Sequence, residues 1–194
     1  MYAAGSSAGF ILTGGRSSRM GTDKALLPFG DGLLVDYMAA QVTGAAGSAC
    51  LVGQPERYVH LEYPAIADLF PGIGPLGGIV TALSAARAEW NLIVPCDMPG
   101  LPKGALDRIL EAARGSTADS VIPCVGSHLQ PVCAAYRHSA LAGLHRAIED
   151  GVRALHKAVE YVQVQRLEFK HENWFQNLNT REEWSEFQVT HARW

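Results

Sequence analysis

Two hydrophobic periodicities alternate along the chain. Short apolar runs, bounded by Gly, Pro, Asp or Asn, read as buried strands over residues 9–12, 49–52, 65–67, 92–95, 120–123, 131–136 and 161–167. Between most of them, apolar positions recur three and four apart and predict helices over 34–43, 75–87, 104–114, 139–148, 153–159 and 180–188. This alternation predicts an α/β fold, a mostly parallel sheet with helices on both faces. The segments at 120–123, 131–136 and 161–167 follow one another closely and predict an antiparallel strand among them. No repeat, low-complexity run or linker divides the 194 residues, so one domain is expected.

Composition narrows the picture. Apolar residues make up 48% of the chain, enough for a sizeable core. A net charge of −3 argues against nucleic acid or a membrane surface as the main partner. Cys50, Cys96, Cys124 and Cys133 form no CxxC pair, which predicts free thiols and a cytosolic protein. The N-terminus lacks the basic and apolar regions of a signal peptide, and no apolar run has the length of a membrane span.

Chemistry concentrates after the first strand, in Leu12-Thr13-Gly14-Gly15-Arg16-Ser17-Ser18-Arg19-Met20-Gly21-Thr22-Asp23-Lys24. Glycines allow the backbone to approach a ligand, and successive N–H groups in such a turn form an anion-binding concavity. Arg16, Arg19 and Lys24 add positive charge. Donors, cations and little bulk suit a triphosphate. The loop is neither GxxxxGK[ST] nor GxGxxG. A second feature is the strand Leu92–Pro95 closed by Cys96 and Asp97. Ligands of open α/β sheets bind at the carboxyl ends of strands, so Asp97 is expected beside Gly14 and Gly15, where a carboxylate can hold Mg²⁺ or form a turn before Pro99.

The run LTGGRSSRMGTDKALLPFG resembles the signature of the molybdenum cofactor guanylyltransferase family, within nucleotidyltransferases that share L-x-[AG]-G-x-x-x-R-M-G-x-x-K. Its double glycine is similar to the guanylyl branch rather than the cytidylyl or sugar-nucleotidyl branches. The resemblance implies a single-domain, Rossmann-like three-layer sandwich. Its N-terminal half would bind the nucleotide and its C-terminal half the acceptor. It implies transfer of GMP from GTP to molybdenum-bound molybdopterin with Mg²⁺ as cofactor, and apo-molybdoenzymes or cofactor chaperones as recipients. Cytidylyl or sugar-nucleotidyl transfer, or a silent nucleotide-binding protein, are the alternatives.

Residue by residue, the resemblance assigns Leu12, Thr13, Gly14, Gly15, Lys24, Asp68, Gly78 and Asp97 to the nucleotide. Arg19, Lys24 and Asp97 are the catalytic set, with Asp97 holding the metal. Asp68, in an element similar to D…GPLxG, is assigned to the guanine, whose paired N–H edge a carboxylate can accept. Gly74 and Gly77 serve helix packing as readily as contact. Gln130, Arg153, Asn177 and Asn179 are assigned to the acceptor. Arg153 follows Val152 where the family has Glu, and reads equally as a solvated helix-start arginine. Thr180 with Glu183 forms a capping box whatever the function. Gly53 stands where the family commonly has Asn.

Overall fold

A computed structural model describes residues 6–14 and 23–190. Strands β1 (Ser7–Leu12), β2 (Pro28–Phe29), β3 (Gly32–Leu33), β4 (Cys50–Gly53), β5 (Ala65–Ala67), β6 (Trp90–Pro95), β7 (Ser120–Val125), β8 (His128–Leu129), β9 (Ala134–Arg137) and β10 (Val164–Glu168) interleave with helices α1 (Leu34–Ala46), α2 (Pro75–Ala85), α3 (Lys103–Arg114), α4 (Ala140–Glu149), α5 (Leu155–Ala158) and α6 (Arg181–Thr190). The main sheet runs β10-β7-β9-β6-β1-β4-β5, with β8 paired to β7. All pairings along that order are parallel except those of β9, which runs antiparallel to both β6 and β7. The chain is thus an α/β protein with a mostly parallel sheet and an antiparallel strand.

Burial on both faces explains the near-continuous apolar strands. Ile11, Leu51, Leu92 and Val94 point into a core shared with α1 and α3, whereas Phe10, Leu12, Val52 and Ile93 point into a core shared with α2. Helix α4 seals that second core through Ala140, Leu144 and Ala147. Helix α1 buries Leu34, Val35, Met38, Ala39, Val42 and Ala46, a stripe at helical spacing, and stops at Gly47 in the left-handed region (φ 82°).

Several boundaries differ from the sequence reading. The strand predicted at 131–136 begins only at Ala134, because Pro131 lacks an N–H and the Cys133 N–H closes a turn onto the Gln130 carbonyl at 3.0 Å. The strand predicted at 161–167 begins at Val164, Tyr161 ending a 3-10 turn instead. The helix predicted at 153–159 spans only Leu155–Ala158 before that turn. The β2–β3 hairpin has no counterpart in the sequence reading. Its Phe29 ring packs against Tyr37 of α1 and against Trp184 and Phe187 of α6, so the C-terminal helix is tied to the segment following Lys24. Among the described residues no helix is long and apolar enough to cross a membrane.

Candidate active site

Strand β1 lies between β4 and β6, and the chain leaves it first to one side through α1 and later returns to the other through α2. That reversal opens a crevice at the carboxyl end of β1, where open α/β sheets bind ligands. Thr13, Gly14, Asp68 and Asp97 all emerge there, each following the end of β1, β5 or β6, beside Gly53, which closes β4.

Thr13 fixes the exit of β1. Its N–H and its hydroxyl both donate to the Val52 carbonyl, at 3.0 and 3.1 Å. A Cβ on Gly53 would lie 2.6 Å from Thr13 Oγ1, so glycine at 53 is the counterpart of the threonine hydroxyl. Gly14 is exposed and its backbone is open to a ligand. Gly15, Arg16 and Arg19 lie outside the described residues.

At the far end of the loop, Lys24 opens a 3-10 turn, Lys24–Leu26. Its Nζ donates to Asp97 Oδ2 at 2.9 Å and to Asn179 Oδ1 at 2.9 Å. The lysine and aspartate side chains are only 14% and 20% exposed. Asp97 is therefore half of a largely buried ion pair, and its carbonyl accepts the Leu178 N–H at 2.9 Å. Among the described residues Asp97 Oδ1 accepts no hydrogen bond, so the carboxylate retains a face for a cation. No group of three or more His, Cys, Asp or Glu among the described residues could hold a metal. A lone carboxylate completed by substrate phosphates is what Mg²⁺ accepts, and the donor set fits that ion.

Asp68 extends beyond β5, with its N–H donating to the Gly53 carbonyl at 3.0 Å. Its Oδ1 accepts from the Phe70 N–H at 2.9 Å and from the Thr81 hydroxyl at 3.1 Å, while Thr81 Oγ1 accepts the Leu69 N–H. Among the described residues Oδ2 accepts no hydrogen bond and is the oxygen left for a ligand. Leu12 and Gly78 contribute packing. Leu12 is buried, and a Cβ on Gly78 would come within 3.0 Å of the Leu12 side chain. Their contact seats the first turn of α2 against β1.

The acceptor residues do not gather as one group. Asn179 belongs to the Lys24–Asp97 cluster, whereas the neighbouring Asn177 is exposed. Gln130 is half-buried in the turn before β9. Arg153 is folded back, its Nη1 donating to the Ile148 and Val152 carbonyls at 3.0 and 3.1 Å, where it satisfies the carboxyl end of α4. The capping box is formed, with the Glu183 N–H on Thr180 Oγ1 and the Thr180 N–H on Glu183 Oε2, both at 3.1 Å. Sequence reasoning missed Thr81, which orients Asp68, and Asp23 and Tyr58, which flank Lys24. Only Asp23 carried a signal, its place beside the signature lysine.

A lysine that meets a strand-end aspartate at the switch point of a mostly parallel sheet defines the site of this α/β protein. The chain belongs to the MobA-like NTP transferase domain family, whose model matches residues 9–165, and it is a nucleotidyltransferase. It is 28% identical over 192 residues to a probable molybdenum cofactor guanylyltransferase of Bacillus cereus strain G9842, covering 93% of this chain and 95% of the relative. A probable molybdenum cofactor guanylyltransferase of Carboxydothermus hydrogenoformans is 38% identical over 129 residues, 66% of this chain and 64% of its own. In fold, the chain is similar to molybdopterin-guanine dinucleotide biosynthesis protein A from Archaeoglobus fulgidus, with a TM-score of 0.83 at 22% identity over 96% of this chain and 100% of that one.

Proposed function

We propose that this chain transfers GMP from GTP to molybdenum-bound molybdopterin, forming the molybdopterin guanine dinucleotide cofactor and pyrophosphate in the cytoplasm. The observation that carries the reading is the 2.9 Å contact of Lys24 with Asp97 at the carboxyl end of the central strand, in a family of nucleotidyltransferases. The N-terminal half binds GTP and the C-terminal half binds the acceptor.

The reaction needs no covalent enzyme intermediate. A terminal phosphate oxygen of molybdopterin attacks the α-phosphorus of GTP in line. The new P–O bond forms as the bond to the bridging oxygen breaks, and pyrophosphate departs with that electron pair. Catalysis is then positioning and charge neutralisation. The N–H groups of Gly14 and Gly15 hold phosphate oxygens, and Lys24 with Arg19 neutralises the leaving pyrophosphate. Asp97 would hold Mg²⁺, which when bound would supply further positive charge to neutralise the phosphates. Leu12 and Thr13 set the loop's entry, and Gly78 keeps α2 close to it. Asp68 accepts from the guanine edge through Oδ2. Gln130, Arg153, Asn177 and Asn179 form the acceptor side, and Arg153 must leave its two carbonyls to grip a phosphate. Asn179 also holds Lys24. Apo-molybdoenzymes or cofactor chaperones receive the product.

The test follows a labelled α-phosphate. Label from GTP should appear in the dinucleotide cofactor when molybdenum-bound molybdopterin is present. Transfer from CTP but not from GTP would overturn the reading in favour of cytidylyl transfer.

A further inference from the structure

Asp23 immediately precedes Lys24, and one buried side chain from the segment after β4 reaches it. Tyr58, 2% exposed, donates its hydroxyl to Asp23 Oδ2 at 2.8 Å. The Asp23 side chain is itself only 9% exposed. Its Oδ1 accepts the Ala25 N–H at 3.1 Å and so caps the 3-10 turn that carries Lys24. Arg57 Nη1 adds a weaker contact to Oδ2 at 3.4 Å.

A nearly buried carboxylate is costly unless its lone pairs are filled. Here a backbone N–H and a phenol fill them, and the result is a fixed turn immediately before Lys24. Burial pushes the Tyr58 phenol well above the ordinary tyrosine range, so it remains a donor throughout the neutral range.

We infer that Asp23 and Tyr58 are positioning residues for Lys24: by capping and bracing the 3-10 turn that carries it, they aim Nζ at the β- and γ-phosphates of the nucleotide. The inference rests on the assignment of Lys24 to the pyrophosphate moiety. Loss of the phenol hydroxyl leaves an unfilled lone pair on Asp23 and frees the turn. Ligands that engage Lys24 should suffer, whereas GMP, which lacks β- and γ-phosphates, should not.

Calorimetric titration of the full chain with pyrophosphate, GTP and GMP tests this in Tyr58→Phe, Asp23→Asn, the double variant and Lys24→Ala. Tyr58→Phe and Asp23→Asn should each weaken pyrophosphate and GTP about tenfold, the scale of one hydrogen bond to a charged group. GMP affinity should stay within about twofold, and the double variant should be no weaker than the weaker-binding single one. Unchanged pyrophosphate affinity in Tyr58→Phe, equal loss for all three ligands, or independent additive losses would overturn the positioning role. If Tyr58→Phe does not fold, the same comparison is made with Asp23→Asn. Undiminished pyrophosphate binding by Lys24→Ala would overturn the Lys24 assignment itself and this inference with it. Normal losses in Lys24→Ala beside a silent Tyr58→Phe would overturn only the positioning.

Discussion

Lys24 and Asp97, 73 residues apart, meet at 2.9 Å, and the same ammonium reaches Asn179, 155 residues further along the chain. Three distant segments are thereby joined at one point: the exit of the first loop, the end of β6 and the approach to α6. In the free protein Asp97 already pairs with the Lys24 ammonium, so the carboxylate is oriented before any metal or nucleotide arrives. Pre-orientation of this kind reduces the reorganisation that binding must bring about.

Replacement of Asp97 by Asn should therefore have two consequences. Guanylyl transfer at ordinary Mg²⁺ should fall by at least about a hundredfold, because the charge that holds the metal is gone. Stability should fall by about 1–2 kcal/mol, between the values for exposed and fully buried pairs, because Lys24 loses its partner. Turnover assays and denaturant unfolding of the same preparation check both. Undiminished transfer would remove Asp97 from the metal site.

Lys24→Ala should lower kcat as well as nucleotide affinity, since charge on the departing pyrophosphate grows in the transition state. One charge-assisted contact corresponds to roughly 1.5–3 kcal/mol, or about ten- to a hundredfold. Steady-state kinetics with GTP varied separates the two constants. A variant altered in solubility alone would reduce the loop to a surface turn.

The two C-terminal asparagines should part company. Asn179→Ala frees Lys24 from one of its two observed partners and should resemble a mild Lys24 defect, with pyrophosphate bound several-fold more weakly. Asn177→Ala, altering an exposed residue, should leave pyrophosphate binding unchanged and affect only the acceptor KM. Equal effects of both on pyrophosphate would contradict the arrangement.

Much of this site was legible in the sequence because its parts lie at element ends. A strand ending in Cys96-Asp97 and a loop ending in Asp23-Lys24 announce themselves, as does the Thr180–Glu183 capping box. What stayed hidden is tertiary. Tyr58 sits in a loop with no periodic pattern, and its partner is 35 residues earlier. Thr81 reads as one more position of α2, yet its hydroxyl occupies one oxygen of Asp68. The β2–β3 hairpin has two-residue strands, too short for alternation to register. Arg153 carried charge at a suggestive position, but local carbonyls claim it.

Base choice should depend on Thr81 as well as Asp68. Thr81 is 2% exposed, and Thr81→Val keeps its shape while removing the hydroxyl that fixes Asp68 Oδ1. Asp68→Ala should cost GTP affinity far more than pyrophosphate affinity and narrow the preference for GTP over CTP. Thr81→Val should narrow it in the same direction and by less. Competition binding with GTP and CTP measures the ratio, and an unchanged ratio in both variants would release Asp68 from base recognition.

The thiols give a prediction independent of the site. Burial pushes Cys133 up to about 12 and raises Cys96 and Cys50 as well, while Cys124 is fully buried. At pH 8 the thiolate fraction of Cys133 is about one in ten thousand, and its rate of labelling should climb about tenfold per pH unit. Of the four cysteines, only half-buried Cys50 should label promptly in the native protein, and all four after unfolding. Cys96 labelling as fast as Cys50 would contradict the packing behind Asp97.

The central claim, GTP-dependent transfer to a molybdopterin acceptor, is tested most directly by pyrophosphate release with GTP, ATP and CTP in turn, each with and without molybdenum-bound molybdopterin. The account predicts release with GTP alone among the three, and only when the acceptor is present. Release with CTP in preference to GTP, or with no dependence on the acceptor, would contradict it.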